Sequence, residues 1–259
     1  MSLIDSHAHF DHLPDAAAVA ATIARARAAG VVRIGAIGAT HGLGAAEQIP
    51  GLLDAHAELF GVVGVHPHDA KLWSAGARTR LEVLAKAHPR IVAVGETGLD
   101  FHYDLSPRQA QLEAFEAQLD LAVRLDRPVV LHVREAHPEA RGLLERVPPR
   151  AALVHCFTGT ADDAAWYLAR GFFLSFSGIL TFRNADEIRA VARTAPADLI
   201  LVETDSPYLA PDPHRRVFPN EPALVVHTAA RLAEVRGVSR DEIAALTTAN
   251  AARFFGLAS

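Results

Sequence analysis

The stretch Ile91–Asp100, with the sequence IVAVGETGLD, begins as an apolar run typical of a buried strand and ends in polar side chains. Seven further runs have the same strand-like character: Leu3–His9, Val31–Gly38, Leu59–His68, Pro128–Arg134, Ala151–Gly159, Phe172–Gly178 and Leu199–Pro207. The stretches between these runs carry helical signals, and strands that alternate with helices indicate a parallel sheet. Because a (β/α)8 TIM barrel needs eight such repeats in about 250 residues, the 259-residue chain is predicted to be an α/β protein of this class.

Two predicted helix starts carry a capping signal, in which a serine is followed three residues later by glutamate or glutamine. Ser106 and Gln109 form one predicted capping box, with Pro107 at the first helical position. Ser239 and Glu242 form the other, ahead of the last predicted helix. The chain has no linker, low-complexity tract or charge block. Residues 1–259 are therefore predicted to form a single barrel domain.

The composition limits the partners and indicates a compartment. The net charge of −5 leaves no global basic footprint for nucleic acid, although one strand end can still be held by bound metal. Cys156 is the only cysteine, so no internal disulfide can form, which suits a reducing cytosol. By strand alternation its side chain is predicted to face the helices as a small buried hydrophobe. The start MSLIDSHAHF lacks the features of a signal peptide or membrane span, so we expect a cytoplasmic protein without membrane contact.

Side chains that bind metals recur at the ends of the predicted strands. They comprise six of the fourteen histidines and three carboxylates: His7, His9, His66, His68, His132, His155, Glu96, Glu203 and Asp205. In a TIM barrel the carboxyl ends of all strands surround one opening, so residues far apart in sequence converge there. Since imidazoles and carboxylates are ligands for divalent metals, the pattern predicts a metal-dependent hydrolase with its metal site at these strand ends.

The first and eighth predicted strands, which are neighbours in a closed barrel, supply one ion site. His7 and His9 are two residues apart and share a face of the first strand, so both can bind one ion. Asp205 is predicted to bind the same ion and to orient the attacking water or take a proton from it. Glu203 lies two residues before Asp205 and shares its face of the eighth predicted strand. It is either a partner of a ligand histidine or a buried carboxylate in a structural network. Asp5 is predicted to orient a ligand histidine.

The fourth, fifth and sixth predicted strands supply a second ion site. Glu96 lies between two glycines, and its two oxygens allow it to bridge two metals. His132 and His155 end adjacent strands and are predicted to bind the second ion. His66 is assigned either to contact with the substrate or leaving group, or to a packing role. Arg134 lies two residues past His132 and is predicted to hold a phosphate oxygen.

These residues carry a resemblance to a known family. The matching segments run in order over nearly the whole chain: Asp5–His9, Gly64–His68, Gly95–Asp100, His132–Arg134, His155–Gly159, Gly178–Phe182 and Glu203–Leu209. Together they resemble the TatD family of metal-dependent hydrolases, within the amidohydrolase-like barrel superfamily. The resemblance implies a barrel with a two-metal site and a nuclease-type activity on DNA. It also implies that six positions are metal ligands: His7, His9, Glu96, His132, His155 and Asp205.

One segment departs from the family pattern. After the eighth strand the family often has Pro-His-Arg-Gly-Lys, whereas this chain has Pro-His-Arg-Arg-Val over residues 213–217, and its loop is one residue longer. The glycine and lysine are lost, so the substrate preference implied by the family is open. Arg215 and Arg216 are the clustered cations of this loop and are predicted to contact the substrate.

The predicted reaction is hydrolysis of phosphodiester bonds of DNA, as an exonuclease on single-stranded ends, by a hydroxide that bridges two divalent ions. Glu96, His66 and Asp205 are the predicted catalytic residues. The ligand set leaves the metal open among zinc, manganese, magnesium, nickel and iron. The alternative is a metal-dependent hydrolase of esters or amides, such as an aminoacyl-tRNA ester or a lactone. A non-enzymatic, metal-stabilised interaction protein is disfavoured because every ligand position is intact, and no obligate protein partner is predicted.

Overall fold

The computed structural model describes residues 2–258, in which strands and helices alternate along the chain. The strands are β1 Leu3–Ala8, β2 Val31–Gly38, β3 Leu59–Val63, β4 Ile91–Asp100, β5 Val129–Arg134, β6 Ala152–Val154, β7 Phe173–Phe176 and β8 Ile200–Val202. The α-helices are α1 Ala16–Ala28, α2 Gly44–Ala55, α3 Ala75–Lys86, α4 Arg108–Leu125, α5 His137–Arg146, α6 Ala161–Leu168, α7 Asp186–Thr194, α8 Val225–Arg236 and α9 Arg240–Phe255. The strands form one eight-stranded sheet in sequence order. The predicted (β/α)8 fold class is confirmed.

The described residues fall into two compact units, of which one comprises Ala36–His155. In this unit β3, β4, β5 and β6 pair in parallel, with a register irregularity in β4 between Val94 and Thr97. Gly98 lies opposite His132, and Asp100 lies opposite Arg134. The strands are buried almost throughout because helices cover a parallel sheet and leave little of it in contact with water.

The other unit comprises the chain up to Gly35 and from Cys156 onward. Here β7 and β8 pair in parallel, with Phe176 opposite Val202. An isolated parallel bridge joins Ala8, at the end of β1, to Ser206, which follows β8. The first strand of the chain therefore lies beside the segment that follows its last strand.

The helix boundaries confirm one capping prediction and correct the other. Ser239 and Glu242 form the predicted capping box at the start of α9. At the start of α4, however, no side-chain cap is found in the described structure, and the helix begins at Arg108 after Pro107. Ser106 is used elsewhere, because its hydroxyl donates to the His68 carbonyl oxygen at 2.6 Å. The prediction of a capping box there was wrong because a tertiary hydrogen bond replaces the local one.

Cys156 differs from the prediction that alternation would bury it as a hydrophobe. The strand β6 ends at Val154, and Cys156 has a φ of 43°, so alternation no longer applies to it. Its side chain is partly exposed, and its sulfur lies 3.2 Å from the hydroxyl of Ser177. Among residues 2–258, no helix combines the length and apolar character that a membrane crossing requires.

Candidate metal centre

One cluster of metal-binding side chains joins the end of β1 to the segment after β8. The Nε2 atoms of His7 and His9 lie 3.3 Å apart. An oxygen of Asp205 lies 3.8 Å from Nε2 of His7 and 3.6 Å from Nε2 of His9. His7 is fully buried and His9 almost so, while Asp205 is partly exposed. We call these three residues the His7 cluster.

Asp205 reaches this cluster through a turn and not through the strand alternation that the sequence suggested. The strand β8 ends at Val202, and Asp205 has a left-handed φ of 54°. Its backbone N–H donates to the carbonyl oxygen of His7 at 3.0 Å. The backbone N–H of His9 donates to the carbonyl oxygen of Ser206 at 2.8 Å. These two main-chain hydrogen bonds hold the carboxylate beside both imidazoles.

Asp5 holds the main chain of this cluster. Its carboxylate accepts hydrogen bonds from the N–H and hydroxyl of Thr204, at 2.9 and 2.6 Å, and from the N–H of His7 at 3.3 Å. These hydrogen bonds fix the backbone beside His7, and the role of Asp5 in orienting a ligand histidine stays a prediction. Burial raises the pKa of Asp5 to about 8, and the nearby Glu203 contributes in the same direction. The role of Glu203, which is also fully buried, stays a prediction.

A second cluster lies at the ends of β4, β5 and β6. One oxygen of Glu96 lies 2.9 Å from Nδ1 of His132 and 2.7 Å from Nε2 of His155, and those two nitrogens are 3.3 Å apart. Nε2 of His66 lies 3.5 Å from the same oxygen. Glu96 and His155 are buried, and His132 is mostly so. We call Glu96, His132 and His155 the Glu96 cluster.

His66 is distinguished from the other two imidazoles by its hydrogen bonding. Its Nδ1 accepts a hydrogen bond from the backbone N–H of His68 at 3.1 Å. A neutral imidazole that accepts at one nitrogen carries its proton on the other. Burial lowers the pKa of His66 to about 4, which keeps the ring neutral. His66 therefore presents an N–H group and not a lone pair toward Glu96, which suits a hydrogen-bond donor better than a metal ligand.

Asp100 is a buried carboxylate that the sequence analysis did not assign to the site. Its Oδ2 lies 2.9 Å from Nε2 of His68 and 3.0 Å from Nε2 of His132. Its Oδ1 accepts from the backbone N–H groups of His102 and Tyr103. Burial opposes ionisation, but these hydrogen bonds together lower the pKa of Asp100 well below its usual range. An ionised carboxylate only accepts, so both rings donate to Asp100 from Nε2, and Nδ1 of His132 faces Glu96.

The run Ile91–Asp100 carries a sequence signal for Asp100. Glu96 and Asp100 are four residues apart on β4, so strand alternation places them on one face. Hydrogen bonds to Asp100 and Glu96 outweigh the effect of burial and raise the pKa of His132. The ring is therefore fixed from both sides, which is the arrangement that carboxylates give to metal-binding histidines.

Gly98 allows β4 and β5 to approach each other beneath the Glu96 cluster. It has a φ of 144°, and a Cβ atom at this position would lie 2.0 Å from the carbonyl oxygen of His132. Glycine has no side chain, so it permits this close approach to the backbone of the neighbouring strand. A larger residue would displace His132.

The donor atoms and their spacing fit divalent cations. Ligands bound about 2.0–2.2 Å from a tetrahedral ion are roughly 3.3–3.6 Å apart. The distances of 3.3 Å from His7 to His9, and 3.6 Å from His9 to Asp205, agree with that spacing. The 3.3 Å between His132 and His155 agrees as well. Imidazole nitrogens with carboxylate oxygens suit zinc, nickel, iron and manganese.

A family comparison agrees with this chemistry. The model of TatD-related DNases matches residues 4–256. The chain belongs to the TatD-related DNase family. The resemblance predicted from the sequence is confirmed, and this TatD-family protein is a metal-dependent hydrolase that acts on ester bonds.

Individual TatD relatives match over almost their full length. The chain is 39% identical over 267 residues to the uncharacterized metal-dependent hydrolase YcfH of Escherichia coli K12, covering 98% of this chain and 96% of YcfH. It is 38% identical over 246 residues to a 3'-5' ssDNA/RNA exonuclease TatD of Enterobacter lignolyticus, covering 92% and 93%. The crystal structure of the TatD homologue YJJV of E. coli K12 aligns with a TM-score of 0.90 at 30% identity, covering 99% of this chain and 98% of YJJV.

The three arginines of this TatD-family protein that are predicted to bind substrate differ from one another in what their side chains contact. Arg134 stacks on the ring of Tyr103, with its guanidinium carbon 4.7 Å from the ring centre. Arg215 lies over the ring of Phe182 at 3.2 Å. Arg215 and Arg216 are both exposed. Their contact with substrate stays a prediction.

Proposed function

We propose that this TatD-family hydrolase cleaves phosphodiester bonds of DNA at single-stranded ends and uses two divalent ions. One observation carries the proposal: two separate groups of atoms, the His7 cluster and the Glu96 cluster, each bring two imidazole nitrogens and a carboxylate oxygen within 3.8 Å of one another. One zinc ion with an open position needs only three protein ligands, whereas six positions are supplied here. The name of the Enterobacter relative, a ssDNA/RNA exonuclease, supports the substrate class.

His7, His9 and Asp205 would hold one ion, and Glu96, His132 and His155 the other. Divalent cations lower the pKa of water and withdraw charge from a phosphoryl oxygen, so they supply the nucleophile and the electrophile in such sites. The bridging role of Glu96 belongs to this proposal and rests on its having two carboxylate oxygens. The identity of the ions is open among zinc, manganese, magnesium, nickel and iron.

The protein's own side chains would then manage the protons and the phosphate. Asp205 is partly exposed and lies beside two imidazoles, so it can accept a proton from the attacking water. His66, with its N–H on Nε2, would donate to a phosphoryl oxygen or to the leaving oxygen. Arg134 would pair with a phosphate oxygen, because a guanidinium is always charged and presents two parallel donors.

A substrate panel tests this proposal on protein reconstituted with each candidate metal. The substrates are linear and circular single-stranded DNA, RNA, aminoacyl-tRNA and model carboxylic esters. We expect end-labelled linear DNA to release mononucleotides and the circle to stay intact. Cleavage of the circle would contradict an end-dependent enzyme. Ester hydrolysis without cleavage of any nucleic acid would overturn the nuclease proposal in favour of the ester and amide alternative.

We expect the protein to act in the cytoplasm, as the single cysteine suggests.

A further inference from the structure

The segment Tyr208–Asn220, here called the 208–220 loop, follows β8 and is closed on itself at its base. The backbone N–H of Asn220 donates to the carbonyl oxygen of Pro207 at 2.9 Å. The side-chain amide of Asn220 donates to the carbonyl oxygen of Tyr208 at 2.5 Å. Midway along the loop, the N–H of Asp212 donates to the hydroxyl of Thr181 at 2.9 Å. The two ends of the loop are therefore joined, and its middle is fastened to the protein.

The loop exposes large apolar side chains to solvent. Phe218 is 74% exposed, Tyr208 56% and Val217 49%. Phe218 has the highest exposed fraction of the large exposed hydrophobic residues in the described chain. Burial of a phenylalanine side chain normally stabilises a folded protein, and most of that contribution is absent here. Exposed apolar groups beside polar ones are typical of binding surfaces.

The loop is also locally cationic. Arg215 and Arg216 contribute two positive charges and Asp212 one negative charge, so Tyr208–Asn220 carries +1 with histidine neutral, while the chain carries −5. Arg215 lies over the ring of Phe182 at 3.2 Å, which holds its guanidinium on the surface. The surface thus combines aromatic rings with cations, and this pairing fits a ligand that has both π-faces and negative charge.

The loop is connected to the His7 cluster. The N–H of Tyr208 donates to the carbonyl oxygen of Asp205 at 2.9 Å. Pro219, which follows Phe218, lines the same small cleft of about 50 Å³ as His9. A polymer held by the loop would therefore lie next to two predicted metal ligands.

We propose that the 208–220 loop is a stacking platform for unpaired bases, on which the rings of Phe218 and Tyr208 contact bases while Arg215 and Arg216 pair with backbone phosphates. Aromatic residues interleaved with cations are the means by which proteins bind single strands without sequence preference. A duplex hides the faces of its bases, so the platform selects single strands. The proposal rests on the proposed function and adds to it the surface that recognises the substrate.

Binding of a fluorescein-labelled oligothymidylate, followed by fluorescence anisotropy in the presence of EDTA, tests the platform without turnover. We expect Phe218→Ala to raise the Kd by about 5- to 150-fold, the range that loss of one base–aromatic stack produces. Phe218→Leu, which stays apolar but lacks the ring, should weaken binding similarly. Val83→Ala removes another exposed apolar side chain, on α3, and should leave the Kd unchanged. A labelled duplex of the same sequence should bind more weakly than the single strand.

Hydrolysis of bis(p-nitrophenyl) phosphate by the metal-loaded protein separates this proposal from the proposed function. The diester is too small to need the loop, so its hydrolysis by wild-type protein and by the control Val83→Ala reports on the metal centre alone. An unchanged Kd for the oligonucleotide in Phe218→Ala, with diester hydrolysis intact, would overturn the platform alone. If wild-type protein hydrolyses neither the diester nor DNA but its binding of the oligonucleotide depends on Phe218, the proposed nuclease activity is overturned and the platform is supported. A change from dimer to monomer in Phe218→Ala, without a change in Kd, would assign the surface to a second copy of the chain and overturn the platform.

Discussion

Asp205 combines partial exposure, a carboxylate and two imidazole neighbours, so it is the group that we propose both to bind metal and to accept a proton. Asp205→Asn keeps the shape of the side chain but removes its charge and basicity. We expect kcat on a model phosphodiester to fall by at least about 10²-fold, measured on protein whose metal content has been confirmed. Asp162→Asn changes an exposed acid on α6 and should keep the wild-type rate. A wild-type rate in metal-saturated Asp205→Asn would assign the proton transfer to another group.

Asp100 positions His132 without touching the predicted ion. Asp100→Asn removes the negative charge that fixes the ring proton on Nε2. We expect the affinity for metal, measured by equilibrium dialysis, to fall by about 10- to 100-fold, as is usual when a partner of a metal-binding histidine is lost. Asp126→Asn alters an exposed acid after α4 and is the matched control. Equal affinity in Asp100→Asn and wild-type protein would limit Asp100 to a structural role.

For single residues, the sequence predicts the placement of side chains that are close together on one strand better than the placement of side chains at turns. His7 lies on β1 and His9 directly follows it, two residues along an extended segment, so their shared face could be predicted. Asp205 was predicted to join them, but for the wrong reason, since a left-handed residue after β8 directs its side chain. The contacts of Asp5 with Thr204 connect residues 199 positions apart, and no spacing rule reports them.

At the scale of elements, the apolar runs predicted that eight strands exist but overestimated some lengths. The run Ile91–Asp100 coincides with β4, whereas Ala151–Gly159 and Leu199–Pro207 contain strands of only three residues. The difference arises because the chain turns after Val154 and after Val202, although side chains such as His155 and Thr204 stay buried there. An apolar run indicates that a segment is buried, but a buried turn can be as apolar as a buried strand.

The contact of β4 with β5 depends on Gly98. Gly98→Ala places a Cβ atom against the carbonyl oxygen of His132 and forces a side chain into a φ of 144°. We expect the free energy of unfolding in urea to fall by more than about 3 kcal/mol. Gly142→Ala is the matched control, because a Cβ atom on this α5 residue meets open space, and it should raise stability by about 0.5–1 kcal/mol. Equal stability of the two variants would show that the strands can separate without cost.

For the whole molecule, the number of bound ions is the most direct quantity to measure. Elemental analysis of protein loaded with excess metal and then dialysed should give about two ions per chain. Glu96→Gln removes the charge of the predicted bridge and should bind fewer than two. Glu82→Gln, on the surface of α3, should bind as many as wild-type protein. One ion per wild-type chain, or two retained by Glu96→Gln, would contradict the bridge.

The single-domain prediction is testable because each compact unit contains one of the two tryptophans. Trp166→Phe leaves Trp73 to report on Ala36–His155, and Trp73→Phe leaves Trp166 to report on the other unit. We expect the two variants to unfold in urea with coincident midpoints, as one cooperative domain does. Circular dichroism gives the urea midpoint of overall unfolding for each variant. If the fluorescence midpoints of the two variants differ by more than their circular-dichroism midpoints do, the units unfold independently.

The two clusters also differ in when they can form during synthesis. The Glu96 cluster uses positions 96–155, so its ligands are complete once residue 155 has been made. The His7 cluster begins with the earliest histidines of the chain but needs Asp205, which is 50 residues beyond His155. At about 5–20 residues per second this separation amounts to roughly 3–10 s. A nascent chain would therefore complete the proposed ligands of the Glu96 cluster before those of the His7 cluster.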